Sequence, residues 1–231
     1  MTGHDGDRPV PLAPRPPAAA SRPAAAGRAA RRLFDVCGAL LALLALGPLL
    51  LLIALVVRLD APGPVFFRQE RVGRHGVPFR IHKFRTMRVD APALGPAVTV
   101  GRDPRITRSG HWLRHWRLDE LAQFIDVLQG TMSLVGPRPE VPRYVAHYPA
   151  ALKDVVLSVR PGITDPASLA GLDESAELAA AADPEAHYIR VILPRKLALQ
   201  ADYARQATLA SDLRMLARTL RVLAGRRGER P

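Results

Sequence analysis

Residues 36–57 read VCGALLALLALGPLLLLIALVV, 22 positions without one charge. At 1.5 Å per residue a straight helix over them would extend about 33 Å, just enough to cross the hydrocarbon of a bilayer. Its centre is Gly47-Pro48. Proline lacks a backbone donor and clashes with the carbonyl four residues back, so the pair predicts a bend halfway. Arg28, Arg31 and Arg32 precede the stretch and Arg58 follows it. Basic flanks stay on the cytoplasmic side, and a spanning helix would leave one of them outside. A helix-break-helix that dips into one leaflet and returns satisfies both flanks, so a re-entrant segment is predicted over residues 33–58. A single-pass anchor is the alternative. Helices buried in a soluble core seldom run this long without polar positions.

On the N-terminal side, residues 1–32 are mainly Ala, Pro, Arg and Gly, with runs such as PPAAA. They cannot bury enough apolar area to offset their ordering entropy, and a disordered tail is predicted there. The segment is too long and too proline-rich for the basic start of a signal peptide, and no small-residue cleavage site follows the apolar stretch. The whole chain of 231 residues allows one catalytic domain with appendages. Its net charge of +12 comes from 33 basic residues, 30 of them arginine, against 21 acidic ones. Such a balance calls for a polyanionic partner: phosphate esters, anionic lipid or nucleic acid. Aromatics at 5% are sparse for a module that stacks exposed bases, which weakens the single-stranded nucleic-acid option. The lone Cys37 excludes an intramolecular disulfide framework and any zinc site that needs two thiolates.

On the C-terminal side, the turn DAPGP at 60–64 leads to VFFRQ at 65–69, a short strand candidate, and FRIHKF at 79–84 alternates like a half-buried strand. Gly73 and Gly76 punctuate a hairpin between them. A proline- and glycine-rich loop is expected from 91 to 107, then helices over 109–115, 119–128 with Gly130 as the stop, and 141–159 interrupted near Pro149. After a Pro161-Gly162 turn come an alanine-rich helix and two final helices, the last with Leu209, Leu213, Leu216, Leu220 and Leu223 in a stripe. The domain is predicted over 59–224, with a basic tail at 225–231.

Asp119-Glu120 opens the helix RLDELAQFIDVLQG. Acidic residues in a first turn ordinarily complement the helix dipole. The pair could instead divide labour, one carboxylate free as a nucleophile and the other holding a hard cation such as Mg²⁺ against phosphate oxygens. Lys83, Arg85, Arg105, Arg108, Arg114, Arg117 and Arg138 surround it in sequence. The planar guanidinium matches phosphate oxygens bidentately, whereas a solvated basic face is the plain alternative. The segment GTMSLVGPRPE at 130–140 would present Arg138 on a rigid turn. His111 and His115 at i, i+4 are more simply packing than a metal site.

The apolar segment with its central proline, FRQERVGRHGVPFRIHKFRTM, DPRITRSGHWLRHWRLDELAQ, GTMSLVGPRPE and RPGIT, in this order, resemble the bacterial sugar transferase family, the small monotopic polyprenyl-phosphate phosphoglycosyl transferases. The likeness runs from about Leu33 to Leu223. It implies that Asp119 attacks the β-phosphate of a nucleotide diphosphate sugar, UDP-linked in the expected case, and releases the nucleoside monophosphate. The covalent phosphosugar then passes to a polyprenyl phosphate, while Glu120 holds Mg²⁺. Substrate phosphates would be bound by Lys83, Arg85, Arg105, Arg117 and Arg138. The expected fold is α/β and mostly helical: a re-entrant membrane helix broken at Gly47-Pro48, and a small cytoplasmic catalytic domain on the inner membrane of a bacterial cell. Nucleic acid is not an expected partner, and a homo-oligomer is compatible with the pattern. The chain departs from the family in Ala122, where Asp-Glu-Leu-Pro-Gln is usual, in Gly47, where Ser is often found, and in DPASL at 165–169 after RPGIT, where Gly-Leu-Ala-Gln-Val often follows. Two rivals remain: a membrane-anchored basic tether for nucleic acid or anionic lipid, and a membrane-bound phosphohydrolase with water as the acceptor.

Overall fold

The structure, a computed structural model, describes residues 25–91, 94, 103–170 and 174–225. The first element, α1, is one helix from Ala25 to Asp60 with Pro48 inside it. Two expectations change here. The first two turns, 25–32, are helical and fall inside the predicted tail, while residues 1–24 lie outside the described residues. The two helices expected either side of Gly47-Pro48 are a single continuous helix. Pro48 and Leu44 both sit on the exposed face, where the carbonyl that the proline ring crowds can tilt toward the surface.

The reason α1 starts early is tertiary. Arg31 Nε donates to Asp212 Oδ2 at 2.7 Å and its NH2 to the Tyr203 hydroxyl at 2.9 Å, while Arg32 donates to the carbonyls of Val127 and Leu128. One turn on, the buried Asp35 carboxylate accepts from Ser133 Oγ at 2.9 Å and from the Leu134 N–H at 3.0 Å. Ala39, Ile53 and Val57 continue this stripe into the domain core. The far end is fastened too: Asp60 Oδ2 accepts from the Ser109 N–H and hydroxyl, and Arg85 donates to the carbonyls of Val57, Ala61 and Pro62. The opposite face of α1 leaves Leu33, Leu41, Leu44, Leu51, Leu55 and Leu59 exposed, several by more than 60%.

Strands β1 (Phe66–Val72) and β2 (Pro78–Phe84) form the expected antiparallel hairpin, Phe66 facing Phe84 and Val72 facing Pro78. A two-stranded hairpin is marginal alone and needs a packed face. Ile81 enters one core cluster, with Val127, Met132 and Leu134, and Phe84 another, with Ile53, Val57, Leu113 and Ala122. Helix α2 (Arg108–His115) is capped by the Thr107 hydroxyl, which accepts from the Gly110 N–H. A 3-10 turn (Leu118–Gln123) then runs directly into α3 (Phe124–Gln129), and Gly130 ends it at φ 85° as expected.

Two three-residue strands, β3 (Ser133–Val135) and β4 (Gly162–Thr164), pair in parallel, where the sequence suggested only turns. They approach so closely that a Cβ on Gly162 would lie 2.0 Å from the Gly136 nitrogen, and one on Gly136 2.4 Å from the Arg160 carbonyl oxygen. Helices α4 (Pro142–Val145) and α5 (Ala150–Val156) are separated at Pro149. Helices α6 (Glu174–Ala180), α7 (Pro184–His187), α8 (Leu193–Gln206) and α9 (Leu209–Gly225) follow, with a π-turn at Tyr188–Ile192. Of the leucine stripe on α9, Leu216 packs against the core whereas Leu213 and Leu220 are exposed. Among the described residues the architecture is mostly helical with two small sheets.

Candidate active site

Asp119 and Glu120 lie on the 3-10 turn, not in the first turn of a regular α-helix. Arg117 precedes them with φ 57°, a left-handed conformation that costs a non-glycine residue roughly 1–2 kcal/mol and is retained where the surroundings enforce it. Asp119 is 1% exposed, and its Oδ2 lies 2.8 Å from Lys83 Nζ. The same ammonium reaches Glu120 Oε1 at 3.5 Å. Arg138 grips Glu120 with both terminal nitrogens, NH1 to Oε2 at 3.1 Å and NH2 to Oε1, and Arg117 stands 3.7 Å away. Among the described residues, no helix amide donates to either carboxylate. Three elements thus converge: Lys83 from β2, the acidic pair with Arg117 from the turn, and Arg138 from the loop after β3.

Burial alone would raise the Glu120 carboxyl, but Arg138, Lys83 and Arg117 together hold it below the usual carboxylate range. The Glu120 charge in turn raises the Arg138 pKa, outweighing the lowering by desolvation. Arg138 is also placed through its main chain. The fully buried Asp165 accepts its N–H at 3.2 Å, and further accepts from Gln200 Nε2 and the Ser168 N–H. Asp165 is one of the positions at which the sequence departs from the family pattern.

The structure brings Lys83, Arg117 and Arg138 together on Asp119 and Glu120. It does not bring Arg85 and Arg105 there. The Arg85 guanidinium donates to the Val57 carbonyl in the last turn of α1 and to the Ala61 and Pro62 carbonyls just beyond it, and Arg105 is locked on the Asp103 carboxylate through Nε at 2.9 Å and NH2 at 2.6 Å. Gly47 and Pro48 lie on α1, and nothing approaches within 4 Å of where a Gly47 Cβ would stand. Arg114 is the residue that position in sequence undervalued. Burial lowers its pKa while the Asp119 charge raises it, and its Nε donates to Thr86 Oγ1 at 3.0 Å. Its place on the inward face of the short helix just before the acidic pair was the available signal.

Among the described residues no group of three or more His, Cys, Asp or Glu side chains could cage a metal ion. That donor set still fits Mg²⁺, which is ordinarily held by one or two carboxylates together with substrate phosphates and water. Asp119 and Glu120 are the carboxylates on hand.

The model of the family described as bacterial sugar transferase matches residues 26–226. The undecaprenyl-phosphate glucose phosphotransferase of Komagataeibacter xylinus is 39% identical over 197 residues, 83% of this chain and 35% of that protein. The UDP-glucose:undecaprenyl-phosphate glucose-1-phosphate transferase of Caulobacter vibrioides is 38% identical over 194 residues, 82% of this chain and 68% of that protein. The exopolysaccharide production protein PSS of Rhizobium leguminosarum bv. phaseoli is 50% identical over 109 residues, 47% of this chain and 54% of that protein. The chain thus spans about a third to two thirds of the length of these relatives. With the match running from the start of α1 to the end of α9, the chain belongs to the bacterial sugar transferase family.

Proposed function

We propose that the chain transfers a sugar 1-phosphate from a nucleotide diphosphate sugar to a polyprenyl phosphate, as the first membrane step of exopolysaccharide or other glycoconjugate synthesis. The observation that carries this reading is the Lys83 ammonium set between the Asp119 and Glu120 carboxylates, with Arg138 and Arg117 closing on Glu120. The names of the relatives support UDP-sugars and undecaprenyl phosphate as the substrate classes.

An Asp119 carboxylate oxygen attacks the β-phosphorus of the donor. The bond from that phosphorus to the bridging oxygen breaks, and the nucleoside monophosphate leaves with the bridging oxygen. An acyl phosphate joins Asp119 to the sugar phosphate. An oxygen of the polyprenyl phosphate then attacks the same phosphorus and frees the carboxylate. Lys83 orients Asp119 and offsets the charge it meets on approaching a phosphate. Arg138 and Arg117 supply fixed cations beside Glu120, the carboxylate placed to hold Mg²⁺. When bound, that ion would neutralise phosphate oxygens as the leaving group departs.

The same reading places both ends of α1 on the cytoplasmic side of the inner membrane, with its exposed leucine face in one leaflet. Support comes from the two fastenings on one domain, Arg31, Arg32 and Asp35 at one end and Asp60 with Arg85 at the other. A helix crossing the bilayer would have to break one set of charged hydrogen bonds.

The test is purified protein incubated with a panel of UDP-sugars in the absence of lipid acceptor. A phosphosugar adduct on Asp119, stoichiometric with released UMP and discharged by polyprenyl phosphate, is the expected result. No adduct by acid-quenched intact-mass measurement, with initial rates following a ternary-complex scheme, would remove the nucleophile.

A further inference from the structure

His82 and Asp126 form a buried polar pair that the chemistry above does not use. Asp126 is completely buried on α3. Its Oδ2 accepts the His82 main-chain N–H at 2.8 Å, and its Oδ1 lies 2.7 Å from His82 Nδ1. On the other side of the ring, Nε2 lies 2.6 Å from Arg68 NH1. A guanidinium can only donate, so Nε2 accepts and Nδ1 is the donor to Asp126. The partners thereby select one tautomer and one ring orientation.

The backbone geometry gives this pair a consequence at the site. The His82 N–H points away from β1, so Asp126 closes the open edge of β2 at the residue before Lys83. Asp126 also sits seven residues after Asp119 on one uninterrupted helical run. A ring of links results: along the helix from Asp119 to Asp126, across to His82, one residue on to Lys83, and back through the ammonium to Asp119 at 2.8 Å.

We propose that His82 and Asp126 are positioning residues for the phosphosugar transfer, acting through Lys83 by fixing the β2 edge that carries its ammonium onto Asp119. The proposal rests on the reading of Asp119 as the nucleophile. Displacement of a reacting group by about 1 Å can cost on the order of a hundredfold in rate, so a clamp one residue from Lys83 is felt in the chemical step more than in donor binding.

The test compares His82→Asn, whose amide nitrogen can stand where Nδ1 stands, with His82→Gln, whose amide falls nearer the Nε2 position. With the UDP-sugar that wild type turns over, the single-turnover rate of UMP release should fall about tenfold in His82→Gln, with KM within about twofold, and recover to within about threefold of wild type in His82→Asn. In a Lys83→Ala background, His82→Gln should cost less than about twofold more, because its effect runs through the missing ammonium. Thermal midpoints of each variant report folding separately. A merely structural pair would lower the midpoint and leave the rate per folded molecule unchanged, and that result overturns the proposal. So do equal losses in the Asn and Gln variants, or a full tenfold loss on top of Lys83→Ala. If wild type forms no adduct at all, the nucleophile assignment falls first, and this proposal with it.

Discussion

Arg138→Lys keeps the charge beside Glu120 and removes the fork. In the structure Arg138 uses two terminal nitrogens on the two Glu120 oxygens, and its N–H is independently held by Asp165 at 3.2 Å. The loop would therefore stay in place while the side chain changes. A lysine ammonium is a single point and cannot bridge both oxygens, so at least one charge-assisted hydrogen bond is lost. A hydrogen bond to a charged group contributes about 1.5–3 kcal/mol, and each 1.4 kcal/mol is about tenfold, so kcat/KM should fall by about 10- to 150-fold. The assay is UMP release from a UDP-sugar at saturating polyprenyl phosphate, with the thermal midpoint measured in parallel. Arg218→Lys, on the exposed side of α9, is the control and should be unchanged. An Arg138→Lys enzyme within twofold of wild type would show that the bidentate geometry contributes nothing and that Arg138 acts as a diffuse charge.

Asp35→Ala should destabilise the chain, because the Leu134 N–H is left buried without an acceptor. An unsatisfied buried donor costs about 1–3 kcal/mol, which lowers the melting midpoint of a protein this size by about 2–12 °C by differential scanning fluorimetry in detergent. Acid stability should depend on Glu120. Its folded pKa is depressed, so its contribution is complete above the unfolded value of about 4.3 and is lost as pH falls below it toward the folded value. Midpoints of wild type and Glu120→Gln should therefore converge as the pH is taken from 6 to 3, and a constant difference would contradict the charge pairing. For topology, single cysteines placed at Arg28 and Arg58, after replacement of the exposed Cys37, should both resist membrane-impermeant reagents on intact cells. Labelling of either from outside would show that α1 crosses the bilayer.

What the sequence made legible follows the range of the interactions involved. The apolar run, the hairpin around Gly73 and Gly76, the stop at Gly130 and the break at Pro149 are local patterns, and each appears in the structure. The β3–β4 pair joins residues 29 apart through three-residue strands, too short for any periodicity. Its signs were Gly136 and Gly162, which read equally well as turn residues. The first turns of α1 were missed because Arg31 and Arg32 are ordered by α9 and α3 partners more than ninety residues away. Lys83, Arg117 and Arg138 could be gathered onto the acidic pair by motif, while Arg85 and Arg105 could not be told from them by residue type. Their partners, the carbonyls of Val57, Ala61 and Pro62 around the end of α1 and the Asp103 carboxylate, are visible only in three dimensions.

The cluster of Ile53, Val57, Phe84, Leu113 and Ala122 carries a last consequence. Ala122 follows Glu120 by two residues, and it rests in the same side-chain stack as the helix whose other face is bare leucine. No linker stands between them. The stack therefore works as a spacer of fixed thickness: the distance from the bare leucine face of α1 to the turn that carries Asp119 is set by packed side chains. Cutting the chain before residue 59 would take Ile53 and Val57 out of that cluster and strip Phe84, Leu113 and Ala122 of their α1 partners.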